Sequence, residues 1–107
     1  MRFNVDVESL ANELELEIED IKMLLVNFLQ VSNDYLFELD KAIESEDFEQ
    51  IAHNAHSIKG SSANLGLKEI SFVAKEIELN AKANKRDFNY KDAYAKLKKE
   101  IEDIADV

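Results

Sequence analysis

Hydrophobic positions recur along this chain at steps of three and four, almost without interruption. Val7, Leu10, Ala11 and Leu14 share one face behind Asp6, a residue suited to cap a helix. A longer pattern runs from about Glu17 to Ile43. Its stripe is Ile21, Leu25, Phe28, Ser32, Leu36, Leu39 and Ile43, flanked by Leu24 and Tyr35. A helix of that size would extend roughly 40 Å, and the polar run Ser32-Asn33-Asp34 predicts a bend within it. Ser45-Glu46-Asp47 breaks the pattern, and Asp47 with Gln50 forms a capping pair for a third helix reaching Leu65. Gly66 follows, where a left-handed residue closes a helix. A fourth helix is expected from about Lys68 to Asn84, with Ile70, Val73, Ala74, Ile77 and Ala81 inward. Lys85 to Asn89 reads as a loop. Tyr90, Tyr94, Leu97, Ile101 and Ile104 then form the seam of a last helix. The pattern predicts an all-α, antiparallel four-helix bundle with a short extra N-terminal helix as a lid, one domain over 1–107.

Composition sharpens this. With no proline and two glycines in 107 residues, the chain lacks the punctuation of a sandwich or barrel. Hydrophobic residues at 46% supply a core, so this is not a disordered acidic tail. No apolar run approaches a membrane span, and Met1 to Asp6 has no signal-peptide core. The absence of cysteine removes disulfides, thiolate metal sites and thiol nucleophiles together. A formal charge of −10 argues against nucleic acid and anionic membranes as partners. A soluble, cytoplasmic helical domain is expected.

The chemistry concentrates on the third helix. Projected at about 100° per residue, Phe48, Ile51, Ala55, Ile58, Ser62 and Leu65 define its core face, and His56 falls roughly 130° away, toward solvent. Around His56 on that surface lie Glu49, Ala52, His53, Lys59, Gly60 and Ala63. Three of these are the smallest residues available, so the imidazole stands on a low, open patch. A glycine within a helix costs about 1 kcal/mol relative to alanine. Gly60 is either tolerated there, or kept because another molecule must approach His56 closely. Lys59 is either a solvated lysine or a compact cation beside an anion carried by the imidazole.

The run Ala55-His56-Ser57-Ile58-Lys59-Gly60-Ser61-Ser62-Ala63-Asn64-Leu65-Gly66 resembles the signature of histidine-containing phosphotransfer domains: His, two residues, Lys-Gly, small residues, then Leu-Gly. Leu25-Val26-Asn27-Phe28-Leu29, Leu39 with Ala42, Glu46-Asp47 and Ile77-Glu78 extend the resemblance over most of the chain. It implies a helical bundle with an exposed phosphorylated histidine. By this resemblance His56 is the phosphoryl acceptor and donor through Nε2, Lys59 offsets phosphoryl charge, and Gly60 leaves room for the partner. Glu78 takes the position that hydrogen-bonds the other ring nitrogen, and is otherwise a plain boundary glutamate. The partners implied are response-regulator receiver domains, with a histidine kinase or hybrid kinase upstream. No cofactor is expected on this chain, since Mg²⁺ would be carried by the receiver. The domain would be a monomeric carrier, not an enzyme, with no nucleotide-binding loop.

Other readings compete. Glu49, His53 and His56 share a face and could ligate a metal, although a bundle site projects inward from two helices and no second element of this kind occurs. The chain could be a non-phosphorylated interaction module, or the phosphorylatable domain of a chemotaxis-type or hybrid sensor kinase. Met1 followed at once by a helix suits a free-standing domain. Finally, Met23, Val26 and Phe37, with Gln30 and Asn33 between them, form a second strip on the long helix, opposite its main stripe. Met23 and Val26 are expected to extend the docking surface of Glu49, Ala52, His53 and Ala63 as an apolar floor for a receiver. Alternatively, Met23 or Phe37 packs under the first helix.

Overall fold

The computed structural model describes residues 1–106. Five helices carry the chain: α1 (Val7–Leu14), α2 (Ile18–Glu44), α3 (Phe48–Asn64), α4 (Lys68–Lys82) and α5 (Tyr90–Glu102). Two short strands, β1 (Arg2–Phe3) and β2 (Ala105–Asp106), pair antiparallel and clasp the ends of the described chain together. Asn4 secures the clasp, donating from Nδ2 to the Asp103 carbonyl at 3.0 Å.

Polar residues cap three of the five helices. Asp6, Asp47 and Asn89 accept from the backbone N–H groups of Ser9, Gln50 and Asp92 respectively. The Asp47–Gln50 pair is thus a side-chain cap on the Gln50 amide. Gly66, at φ +73°, turns α3 into α4, and Glu15, Glu46 and Asn84 take the same left-handed conformation at three other helix ends. These three are non-glycine residues where the backbone favours glycine, consistent with a chain that carries so few.

Helices α2 to α5 form a closed ring, each packed on two neighbours, and α1 lies against α2. Ile21, Leu25, Leu39, Ile51, Ile58, Ile77, Leu97 and Ile101 fill the centre. The molecule measures 42 × 25 × 17 Å, and its long axis matches α2 at about 1.5 Å per residue. No break occurs at Ser32-Asn33-Asp34: α2 is one continuous helix. Ser32 lies on the buried stripe, as its spacing predicts, while Asn33 and Asp34 face solvent. Helix α4 ends two residues before the expected Asn84, where the chain turns left-handed.

Candidate functional site

Buried alanines line the seam between α3 and α4: Ala52 and Ala55 on one helix, Ala74 and Ala81 on the other. Small side chains let two helices approach closely. The approach brings Glu78 of α4 under His56 of α3. Beside them opens a cleft of about 620 Å³, walled by Glu49, His53 and His56 on one side and by Glu78, Ala81 and Lys82 on the other.

Glu78 is 1% exposed, the one buried charged side chain among the described residues. It sits deeper than the helix edge where periodicity placed it. Its Oε2 lies 2.7 Å from His56 Nδ1 and 3.0 Å from Lys82 Nζ. Its Oε1 faces Lys59 Nζ at 2.9 Å, an ion pair that lacks good hydrogen-bond alignment. Burial pushes the Glu78 carboxyl up, but Lys59, Lys82 and His56 together overcome it and hold the group at about 2. An ionised carboxylate can only accept. The proton it faces therefore belongs to Nδ1, and in a neutral ring the lone pair falls on Nε2.

The His56 side chain is 61% exposed while its Nδ1 is anchored to a buried group. One turn on, a Cβ added to Gly60 would meet nothing within 4 Å. Glu49, His53 and Ala63 are exposed as expected, but Ala52 is not: it is 8% exposed and belongs to the floor of the cleft. Its wheel angle put it near His56 correctly; α4 covers it, which a single-helix projection does not contain. Met23 is exposed and Val26 half-buried, in a separate groove on α2 shared with Met1 and Phe3. Phe37 is exposed, with Lys41 Nζ 4.9 Å from its ring centre, so neither Met23 nor Phe37 is packed under α1. Along the α2–α3 boundary, Leu24 and Val31 instead share a groove with Ser61 and Asn64. Among the described residues, no three His, Asp or Glu side chains gather in a way that could hold a metal ion.

Sequence reasoning missed Lys82. It is at i+4 from Glu78, so the signal existed once Glu78 was treated as part of the site.

The Hpt domain family model matches residues 23–107. The chain is 29% identical over 99 residues to the "Phosphorelay intermediate protein rdeA" of Dictyostelium discoideum, covering 92% of this chain and 39% of that protein. It is 31% identical over 71 residues to the "Multistep phosphorelay regulator 1" of Schizosaccharomyces pombe, covering 66% of this chain and 24% of that protein. The chain thus spans well under half the length of these curated relatives. Among solved structures, histidine-containing phosphotransfer protein B (HptB) from Pseudomonas aeruginosa PAO1 superposes with a TM-score of 0.78 at 27% identity, covering 91% of this chain and 84% of that one.

Proposed function

Because the chain belongs to the histidine-containing phosphotransfer (Hpt) domain family, we propose that it is a phosphorelay carrier that takes a phosphoryl group from a receiver-domain aspartate onto His56 and passes it to another receiver. The observation that carries this reading is the 2.7 Å contact between Nδ1 of an exposed histidine and the buried, ionised Glu78. It directs the Nε2 lone pair outward. That pair forms the P–N bond as the acyl phosphate P–O bond breaks, and the electrons of the broken bond leave with the receiver's aspartate carboxylate. Nδ1 keeps its proton. The ring becomes cationic, and Glu78 compensates the charge it gains. Transfer onward reverses each step.

Such a reaction needs positioning and charge compensation more than covalent help. Lys59 is one turn from His56 and can swing its ammonium from Oε1 to the phosphoryl oxygens. Gly60 leaves the approach open. The domain catalyses nothing alone, takes its Mg²⁺ from the partner, and works as a cytoplasmic monomer. No helix among the described residues is long and apolar enough to cross a membrane, which is compatible with that placement. The partner's footprint covers Glu49, His53 and Ala63, with Leu24 and Val31 of α2 supplying an apolar border.

The test is transfer of label from a phosphorylated receiver, followed by mapping of the acid-labile, base-stable product. His56→Gln should lose all label and His53→Gln should keep it. Label that survives His56→Gln but not His53→Gln would overturn the assignment.

A further inference from the structure

Resting on the carrier reading above, we infer that Phe72, Lys75 and Leu79, on the outer face of α4, select the partner by seating an acidic receiver domain beside His56. Helix α4 repeats itself every seven residues. Lys68-Glu69-Ile70-Ser71-Phe72-Val73-Ala74 is followed by Lys75-Glu76-Ile77-Glu78-Leu79-Asn80-Ala81, and Lys82 continues the lysine row. Seven residues are close to two helical turns, so each position of the repeat forms a row along the helix. The Ile and Ala rows are buried in the bundle. Ser71 and Glu78 face α3, where Ser71 Oγ donates to the Lys59 carbonyl and Glu78 meets His56. Phe72 and Leu79 lie on the opposite side from the buried rows, 60% and 52% exposed. Single exposed apolar residues are ordinary, but these two form a ridge that contributes nothing to the core of this fold.

Charge is divided across that ridge. The row of Lys75 and Lys82 runs on the α3 side, and Lys82 lines the cleft together with His56. The row of Glu69 and Glu76 runs on the far side, where Glu69 shares a groove with Glu100 of α5. The chain as a whole carries −10, so a lysine row beside the reactive histidine runs against the general field. A receiver's phosphorylation pocket holds a divalent cation, and such a cation takes oxygen ligands, carboxylates among them. An acidic pocket is drawn to the lysine flank, repelled by the glutamate flank and so steered toward His56, while Phe72 and Leu79 offer apolar contact. The footprint then straddles the α3–α4 seam. The rival occupant is a second copy of this chain. Antiparallel pairing of two such ridges sets lysine on lysine and glutamate on glutamate. Parallel pairing sets Lys75 against Glu76 of the second copy, but either arrangement brings together two molecules of charge −10.

The experiment measures transfer from a panel of purified, radiolabelled receiver domains at varied receiver concentration. The acceptors are wild type, the double variant Phe72→Ser with Leu79→Ser, Lys75→Glu and Lys75→Arg. The double variant should raise the receiver concentration for half-maximal transfer roughly tenfold and keep the saturated rate within about twofold, because these side chains touch no reacting atom. Lys75→Glu should raise it roughly threefold to fivefold at low salt, and the effect should shrink as salt is added. Lys75→Arg should behave as wild type. Phe37→Ser, at a comparably exposed aromatic on α2, is the control and should change nothing. Phosphoramidate, a small donor that labels histidine without a protein partner, should label His56 equally in every variant. Wild-type transfer with half-saturation unchanged in either the double variant or Lys75→Glu overturns the inference. So does a loss confined to the saturated rate. A wild type labelled by phosphoramidate but by no receiver overturns the carrier reading and this inference with it. Sedimentation at the assay concentration decides the rival: a wild-type dimer that the double variant abolishes assigns the ridge to a second copy and overturns the inference.

Discussion

Gly60 and Gly66 are the only two glycines of the chain, six residues apart, and their surroundings are opposites. Around Gly60 there is open space, one turn from an exposed histidine whose anchor is a buried charge. Around Gly66 there is contact: a Cβ there would lie 3.3 Å from Leu10 Cδ2 and 3.4 Å from Glu13 Oε2, on a backbone at φ +73°. Leu65 and Leu67, on either side, are buried. The turn is built for closure, with α1 packed over the end of the bundle. The His56 face is built for access, and its stability comes from charge pairing in place of apolar cover. A local sequence pattern that reads as one motif therefore contains one glycine set in a packed turn and one in open space.

The largest expected effect tests whether the His56 face truly draws stability from its charges. Glu78 ionises at about 2 in the folded protein, against an ordinary value of 4.5, despite the opposing pull of burial. The unfolded chain therefore binds that proton more tightly. The stabilisation from Glu78 is complete above 4.5 and is lost as pH falls toward about 2. Glu78→Gln should cost about 2 kcal/mol at neutral pH, less than the shift alone implies because Lys82 is largely solvated. The gap from wild type should narrow as pH falls through that window. Urea unfolding at neutral pH and near pH 3 measures both quantities. Parallel pH dependences in the two proteins would mean that the buried carboxylate stabilises nothing.

Next comes closure. Gly66→Ala places a side chain on a left-handed backbone and presses it toward Leu10, a core residue that cannot swing aside as the Glu13 carboxylate can. The left-handed conformation alone costs about 1–2 kcal/mol for a residue with a Cβ. The unfolding midpoint should fall accordingly, while transfer by the folded fraction stays at the wild-type rate. A slowed transfer at full folding would mean that the turn belongs to the reactive face after all.

What could be read from the chain follows the same division. Helix order, the caps at Asp6 and Asp47, the core stripes and the outward angle of His56 are all local or periodic features, and one helix at a time suffices to see them. The clasp of Arg2–Phe3 with Ala105–Asp106 is too short for any alternation to register and joins opposite ends of the chain. The depth of Glu78, the burial of Ala52 and the arrival of Lys82 each depend on how α4 lies against α3. That contact is tertiary, and no wheel drawn for either helix contains it. Helix α2 stays unbroken through Ser32-Asn33-Asp34 because only Ser32 of the three faces the core, and the buried stripe continues on both sides of it.

The smallest expected effect on stability is the most informative about access. Gly60 lies inside α3 in a helical conformation, and a methyl group there would touch nothing. Replacing an unstrained helical glycine by alanine reduces the freedom of the unfolded chain and stabilises the fold by about 0.4–1 kcal/mol. Gly60→Ala should therefore raise the unfolding midpoint, the reverse of Gly66→Ala. On the carrier reading a donor must bring its phosphorus within bonding distance of Nε2, with the departing carboxylate in line behind it, and a methyl group at Gly60, one turn away, is expected to stand in the path of that approach. Transfer should slow by roughly threefold or more, through a loss of near-attack geometry rather than of charge. The resting ring is unaffected, so the ¹⁵N shifts of His56 should match wild type. A variant that is more stable and transfers at the normal rate would show that the open space at Gly60 has no bearing on how the partner reaches His56.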